Sequence, residues 1–176
     1  VINGSDGVQG HTETLWSLLA RYKIPAFIFI NKMDLDGTDR RILMENLKKH
    51  LSENCIDFND DIDSVSFQES LAVSDEMMLG KYLENGFLDS SDIATLIEER
   101  KVFPCYFGSA LKMEGVDAFL EGLAALTKSK SYPEAFGAKV FKISRDEQGN
   151  RLTYMKITGG SLKVKTLVSN KRTPST

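Results

Sequence analysis

Hydrophobic residues make up 41% of this 176-residue chain and charged residues 27%, ordinary proportions for a soluble globular protein of one domain or one and a fraction. No apolar run approaches the roughly 20 residues needed to span a bilayer, and the start, Val1-Ile2-Asn3-Gly4, has no signal-peptide pattern, so membrane spanning is excluded and the cytoplasm is expected. The net charge of −3 hides an asymmetry: residues 1–133 hold 13 Lys/Arg against 22 Asp/Glu (net −9), and residues 134–176 hold 9 against 3 (net +6). Such a contrast marks a domain boundary and points to a polyanionic partner on the basic side.

Val1-Ile2 reads as the end of a buried strand, followed by the turn cluster Asn3-Gly4-Ser5-Asp6-Gly7. Leu15, Leu18, Leu19 and Tyr22 then fall at helical spacing and predict a helix with that face inward. Ala26 to Ile30 is an apolar run, too short for a buried helix, that fits a strand covered on both faces. A helix is predicted from about Thr38 to Leu51, with Leu43, Leu47 and Leu51 on one face, and residues 52–70 read as acidic and irregular. Two short helices follow, Asp75 to Glu84 and Ser91 to Arg100, the second capped by Ser90 or Ser91. Val102 to Phe107 is a strand, and Val116, Phe119, Leu120 and Leu123 define a last helix. Strands alternating with helices mean parallel pairing and an α/β architecture. Past a linker at Ser129 to Pro133, three alternating segments, Lys139 to Ile143, Arg151 to Ile157 and Lys163 to Ser169, predict an antiparallel β unit. Three strands rarely complete a domain, so this reads as the opening of a β-barrel.

The chemistry lies in two loops. Asn31-Lys32-Met33-Asp34 follows an apolar strand at its carboxyl end, where open α/β sheets bind ligands. Guanine presents N1–H and its 2-amino group side by side, and an ionised carboxylate such as Asp34 accepts both in a fork. The Asn31 amide can donate to a ring acceptor and brace neighbouring loops, and the stem of Lys32 can lie over the base. Gly108-Ser109-Ala110-Leu111 follows the next strand. There the Ala110 N–H can approach guanine O6, and the Ser109 hydroxyl can hold the Asp34 carboxylate. The remaining candidates read blandly: His11 is solvent-facing or capped, His50 suits a helix end, Asp57 to Asp63 lacks calcium-loop spacing, Met77-Met78 is core filler, and Cys55 and Cys105 have no metal-ligand spacing.

With these residues in view, the chain resembles the translational GTPases. The Asn31 to Asp34 and Gly108 to Leu111 segments look like their base-reading motifs, and Asp6-Gly7-Val8-Gln9 with Thr12 looks like a segment of the translational subgroup. Lys81-Tyr82-Leu83, Phe103 to Gly115, and Leu152-Thr153-Tyr154 leading to Gly160-Ser161-Leu162 resemble elongation factor G. The short stretch between the base loops looks more like the tetracycline-resistance ribosomal protection proteins. The resemblance implies residues 1–133 as the C-terminal part of a G domain with a partial P-loop GTPase-type sheet, and residues 134–176 as the start of a β-barrel domain. It assigns guanine binding to Asn31, Lys32, Asp34, Ser109, Ala110 and Leu111. It implies a parent that binds GTP or GDP with magnesium and engages ribosomal RNA and proteins. No Gly-x-x-x-x-Gly-Lys-Ser/Thr loop is present, so no catalytic or metal-binding residue is assigned. This chain alone is expected to bind nucleotide weakly and to hydrolyse none, with its Val1-Ile2 strand edge either frayed or paired with another copy of the chain. A stand-alone binding or regulatory module without nucleotide hydrolysis is the other class kept open.

Overall fold

A computed structural model describes residues 1–59, 62–128 and 131–167. Its contacts divide the chain into two compact units, Val1–Lys128 and Ser129–Thr176.

The first unit is built on a four-stranded parallel sheet in the order β1 (Ile2–Asn3), β2 (Ile28–Asn31), β4 (Phe103–Phe107), β3 (Cys55–Asp57). Residues alternate across the sheet and bury both faces. Ile28, Ile30, Cys105 and Phe107 face α1 (Gly10–Arg21) and α2 (Arg40–His50), and Phe29 and Tyr106 face the other layer, α3 (Val65–Ala72), α4 (Glu76–Asn85), α5 (Ser90–Glu98) and α6 (Val116–Leu126). The fully buried Pro104 is tolerated inside β4 for a reason of register. Residues of its parity turn their N–H groups toward β2, as Gly108 N–H does to Ile30 O (3.0 Å), and the pairing begins only at Ile28 opposite Cys105. The missing donor therefore falls just ahead of the first ladder pair.

Helices α2, α4 and α5 start at side-chain caps. Asp39 accepts from Ile42 N–H for α2, and Asp75 accepts from Met77 and Met78 N–H for α4. Lys101, 2.7 Å from Asp75, holds that carboxyl below the usual carboxylate range. The cap of α5 is Asp89, not Ser90 or Ser91: its carboxylate accepts from Ser91 and Asp92 N–H at 2.9 Å each, and Asp92 accepts from Asp89 N–H in return.

Three other expectations are corrected. In α1 it is Trp16 and Leu19 that pack on the sheet, while Leu15, Leu18 and Tyr22 are exposed. The indole decides this, because its ring lies edge-on to Phe103 at 4.6 Å, its N–H donates to Leu51 O at 2.9 Å, and the Arg100 guanidinium sits 5.1 Å from its centre. The segment expected to be irregular, residues 52–70, contains β3 and most of α3, with Cys55, Ile56, Phe58 and Phe67 all buried. Of the methionine pair, Met78 is core and Met77 is exposed.

The second unit contains an antiparallel hairpin, β5 (Gly137–Arg145) with β6 (Arg151–Gly159), and a bulge between Val140 and Lys142. Asp146 organises its turn by accepting from the Asn150 side-chain amide and from Asn150 and Gln148 N–H, and these bonds, the amide first, hold its carboxyl below the usual range. The third expected strand does not form over residues 163–167, where Thr166 N–H closes a turn onto Lys163 O and Lys165 takes φ 65°. Residues 168 and 169 of that expectation lie outside the described residues. Val164 and Leu167 are 92% and 98% exposed, so nothing buries an alternating face there.

The corrected helix faces can be separated by stability. Leu71→Ala removes a fully buried side chain from α3 and should cost about 2–5 kcal/mol, whereas Leu18→Ala on the exposed face of α1 should stay within about 0.5 kcal/mol. Urea unfolding of both variants checks this, and equal losses would refute the assignment of faces.

Candidate functional site

Because β1, β2 and β4 run parallel and adjacent, their carboxyl ends bring three loops together. The join is made by hydrogen bonds between the loops themselves. Gly4 N–H donates to Asn31 O (2.8 Å) and Met33 N–H to Gly108 O (3.1 Å). The Asn31 side-chain oxygen accepts from its neighbour Lys32 N–H and from Ala110 N–H across the sheet, both at 2.8 Å. Asn31 thus braces loops from two strands by its amide and a third by its carbonyl. The same bond engages the Ala110 N–H, the donor that sequence reasoning assigned to the base.

Lys32 takes φ 67°, which turns the chain sharply after the strand and leaves its side chain exposed. Thr38 closes the loop from its far end, its hydroxyl donating to Met33 O (3.1 Å) and Leu35 O (2.9 Å). Between these fixed points lies Asp34, whose side chain is 13% exposed. Its carboxyl is held below the usual carboxylate range, first by a hydrogen bond from the Ser109 hydroxyl, with desolvation opposing and the Lys112 charge adding to the effect.

Ser109 itself is 1% exposed and locked from several sides. Its backbone exchanges two 3.0 Å hydrogen bonds with Glu114, and its hydroxyl accepts from Lys112 N–H at 3.3 Å. This tight return demands glycine at both ends. A Cβ on Gly108 would lie 2.2 Å from Glu114 O, and one on Gly115 (φ 72°) would lie 2.5 Å from Phe107 O. Ala110 and Leu111 cap the turn, with Leu111 90% exposed. The structure therefore gathers all six expected residues at two adjacent strand ends.

Sequence reasoning missed several supports. Lys112 places its ammonium 3.7 Å from Asp34, three residues after Ser109. Asn46 on α2 accepts from Val8 N–H at 2.9 Å and anchors the Asp6 segment, while Asn3 donates to Asp6 at 2.6 Å. Asn59 pairs its amide with both backbone groups of Phe107, extending the ladder beside β4. The spacings of Lys112 and of Asn3 to Asp6 are local, whereas Asn46 and Asn59 act through tertiary contact. A cleft of about 480 Å³ lies elsewhere, lined by Arg40, Met44, Lys48, Cys55, Phe67 and Ser70 among others, and none of the six loop residues borders it. A flat base gripped by its edge needs paired loops rather than depth, so the loops remain the better candidate. Of the histidines, His50 pairs with Glu13 at 2.7 Å, and His11 is exposed. Among the described residues no group of three or more His, Cys, Asp or Glu side chains could hold a metal ion, and no helix is long and apolar enough to cross a membrane.

Residues 1–129 match the family described as elongation factor Tu GTP binding domain. Two curated relatives are the tetracycline resistance protein TetM from transposon Tn1545 of Enterococcus faecalis, 27% identical over 92% of this chain, and TetW of Butyrivibrio fibrisolvens, 25% identical over 96%. The chain spans 28% and 29% of the lengths of these two proteins. The solved structure of ttk003000868 from Thermus thermophilus matches 92% of this chain and 31% of its own, with a TM-score of 0.75 and 20% identity, a likeness of fold.

The Ser109 hydroxyl is the largest influence holding the Asp34 carboxyl down. Ser109→Ala should raise the midpoint at which the Asp34 carboxyl titrates. A depressed carboxyl contributes stability above the ordinary carboxylate range that is lost as pH falls through its lowered pKa, so the variant should also lose part of the acid-to-neutral gain in stability. Carboxyl-carbon NMR across an acid titration gives the midpoint directly, and an unmoved midpoint would contradict the hydrogen bond.

Proposed function

The chain belongs to the elongation factor Tu GTP-binding domain family through residues 1–129, and from that premise we propose that it forms part of a larger ribosome-associated GTPase and supplies its guanine-reading loops. The single observation that supports this most is the mostly buried Asp34 carboxylate, held charged beside Ser109 and Lys112 where two loops meet at adjacent strand ends. An ionised carboxylate suits the paired N1–H and 2-amino donors of guanine, whereas adenine presents at the same positions an acceptor nitrogen and a C–H. Asn31 braces the loops, Lys32 and Leu111 are exposed where they can flank a base, and Ala110 N–H can meet O6 by sharing or leaving its bond to Asn31.

The fit covers the base alone. The sequence carries no phosphate-loop motif, and the described residues offer no cluster for magnesium, so phosphates and metal would be held by other parts of the longer protein. This chain by itself is then a weak binder without hydrolysis. The two-residue edge strand β1, with Val1 90% exposed, would pair with another copy or fray. The likeness to TetM and TetW favours tetracycline resistance by ribosomal protection over translocation as the larger protein's role.

In the full-length protein, Asp34→Asn should exchange the preferred base. The amide offers a donor where xanthine has a carbonyl and leaves guanine's amino group facing another donor, at a cost of about 1–3 kcal/mol, so guanine affinity should fall by about tenfold or more. Competition between GTP and XTP measures it, and an unchanged preference would end the reading.

The basic second unit is proposed as the side that meets ribosomal RNA. Lys142, which lies 5.3 Å from the centre of the Tyr154 ring, and Lys163 and Lys165 are all exposed. Reversing these three charges should weaken ribosome binding more than reversing Lys48 and Lys49, with a smaller salt slope, because phosphate contacts release condensed counterions. Equal effects, or binding indifferent to salt, would refute it.

A further inference from the structure

Lys112 belongs to none of the six residues assigned to the base, yet the same hydroxyl that anchors Asp34 also fixes where Lys112 begins. Ser109 Oγ accepts from Lys112 N–H at 3.3 Å, and Met113 at φ 59° and Gly115 at φ 72° turn the chain back so that Ser109 and Glu114 pair. The lysine stem then runs from this locked turn to the rim of the loop. Its ammonium reaches 3.7 Å from Asp34 Oδ2, with the Lys112 side chain 53% exposed and that of Asp34 13% exposed.

Other charges stand nearby in sequence: Lys32 and Asp36 on the loop of Asp34, Glu114 on the turn of Lys112, and Asp6 on the first loop, bonded to Asn3. Among the described residues, Lys112 is the one cation within 4 Å of Asp34. At 3.7 Å the contact is a charge interaction rather than a tight hydrogen bond, and a half-exposed partner makes it sensitive to salt. Serine and lysine therefore divide the work. Ser109, fully buried, sets where the carboxylate lies, and Lys112, at the surface, sets the field it lies in.

We propose that Lys112 is a positioning residue of the base-reading site, whose ammonium holds the Asp34 carboxylate charged and oriented for the paired donors of guanine. This rests on the guanine reading above. Lys112 acts through Asp34, so its removal should grade affinity without exchanging the base, unlike a change at Asp34 itself. An exposed pair of this kind is worth about two- to fivefold in affinity.

Lys112→Met keeps the stem and removes the charge, and Lys112→Arg keeps the charge. Carboxyl-carbon NMR of the 176-residue chain should show the Asp34 midpoint rising in Lys112→Met and losing its dependence on salt, with Lys112→Arg restoring both. In the full-length protein, Lys112→Met should bind GDP about two- to fivefold more weakly at low salt, with the preference for guanine over xanthine intact. A midpoint and a GDP affinity both equal to wild type would overturn the proposal, as would a salt dependence that survives the loss of the charge. The NMR midpoint needs no nucleotide, so its failure is separate from failure of the guanine reading, which an unchanged base preference in Asp34→Asn would signal.

Discussion

The site hangs on the Asn31 side-chain oxygen. One acceptor atom receives N–H groups from Lys32 and from Ala110, 79 residues away in sequence, and the carbonyl of the same residue receives Gly4 N–H. Strand pairing sets the ends of β1 and β4 each about 5 Å from β2, but it leaves the loops beyond them free to splay. Asn31 removes that freedom for three loops at once. A carboxylate at this position could accept the same two N–H groups but could not donate, and it would set a second negative charge near Asp34. An amide offers acceptor and donor in one neutral group.

Around this knot, charge and burial are graded. Ser109 is buried and makes three hydrogen bonds through its hydroxyl and backbone, Asp34 is mostly buried, and Lys112, Lys32 and Leu111 stand at the rim. A carboxylate at partial burial keeps its charge only if bonded, and here the bond comes from a side chain that has no freedom to leave. Rigidity inside and reach outside is the arrangement a recognition site needs, because ordering loops at the moment of binding would subtract from affinity.

Much of this was legible in the sequence, and the limits are instructive. The strands β2 and β4 announced themselves as short apolar runs because a parallel sheet is covered on both faces, and the two loops followed at their carboxyl ends. The strand β3 did not, since three residues cannot display a period and its flanks are acidic. The inward face of α1 was misread because four apolar residues at helical spacing outvote one tryptophan in a pattern count, although the indole buries more area and finds a partner for its N–H. The α5 cap was misplaced by a residue because Ser90, Ser91 and Asp89 are all good caps, and only the reciprocal bond from Asp92 chooses among them. The supports from Asn46 and Asn59 were invisible for a different reason: each joins residues 38 or 48 apart, and polar side chains carry no periodicity that would expose such contacts.

The second unit follows a different rule. Pairing across β5 and β6 sets Val140 against Met155 and Ala138 against Ile157 on one face, and Lys139 against Lys156 and Lys142 against Tyr154 on the other. The two faces are chemically opposite, yet Val140, Phe141 and Ile143 remain 50%, 67% and 55% exposed. Among the described residues no third strand joins this hairpin, and isolated hairpins are marginal for lack of one. Its turn is accordingly held by polar bonds, with Asp146 accepting from Gln148 N–H, Asn150 N–H and the Asn150 amide. Local hydrogen bonding therefore fixes the register here, where the first unit relies on a buried sheet. The like-charged pair Lys139 and Lys156, directly opposed across the strands, weakens the hairpin on its own terms. A sequence that tolerates such repulsion on an exposed ribbon gains a concentrated positive face, and an anionic surface is the partner that would relieve it.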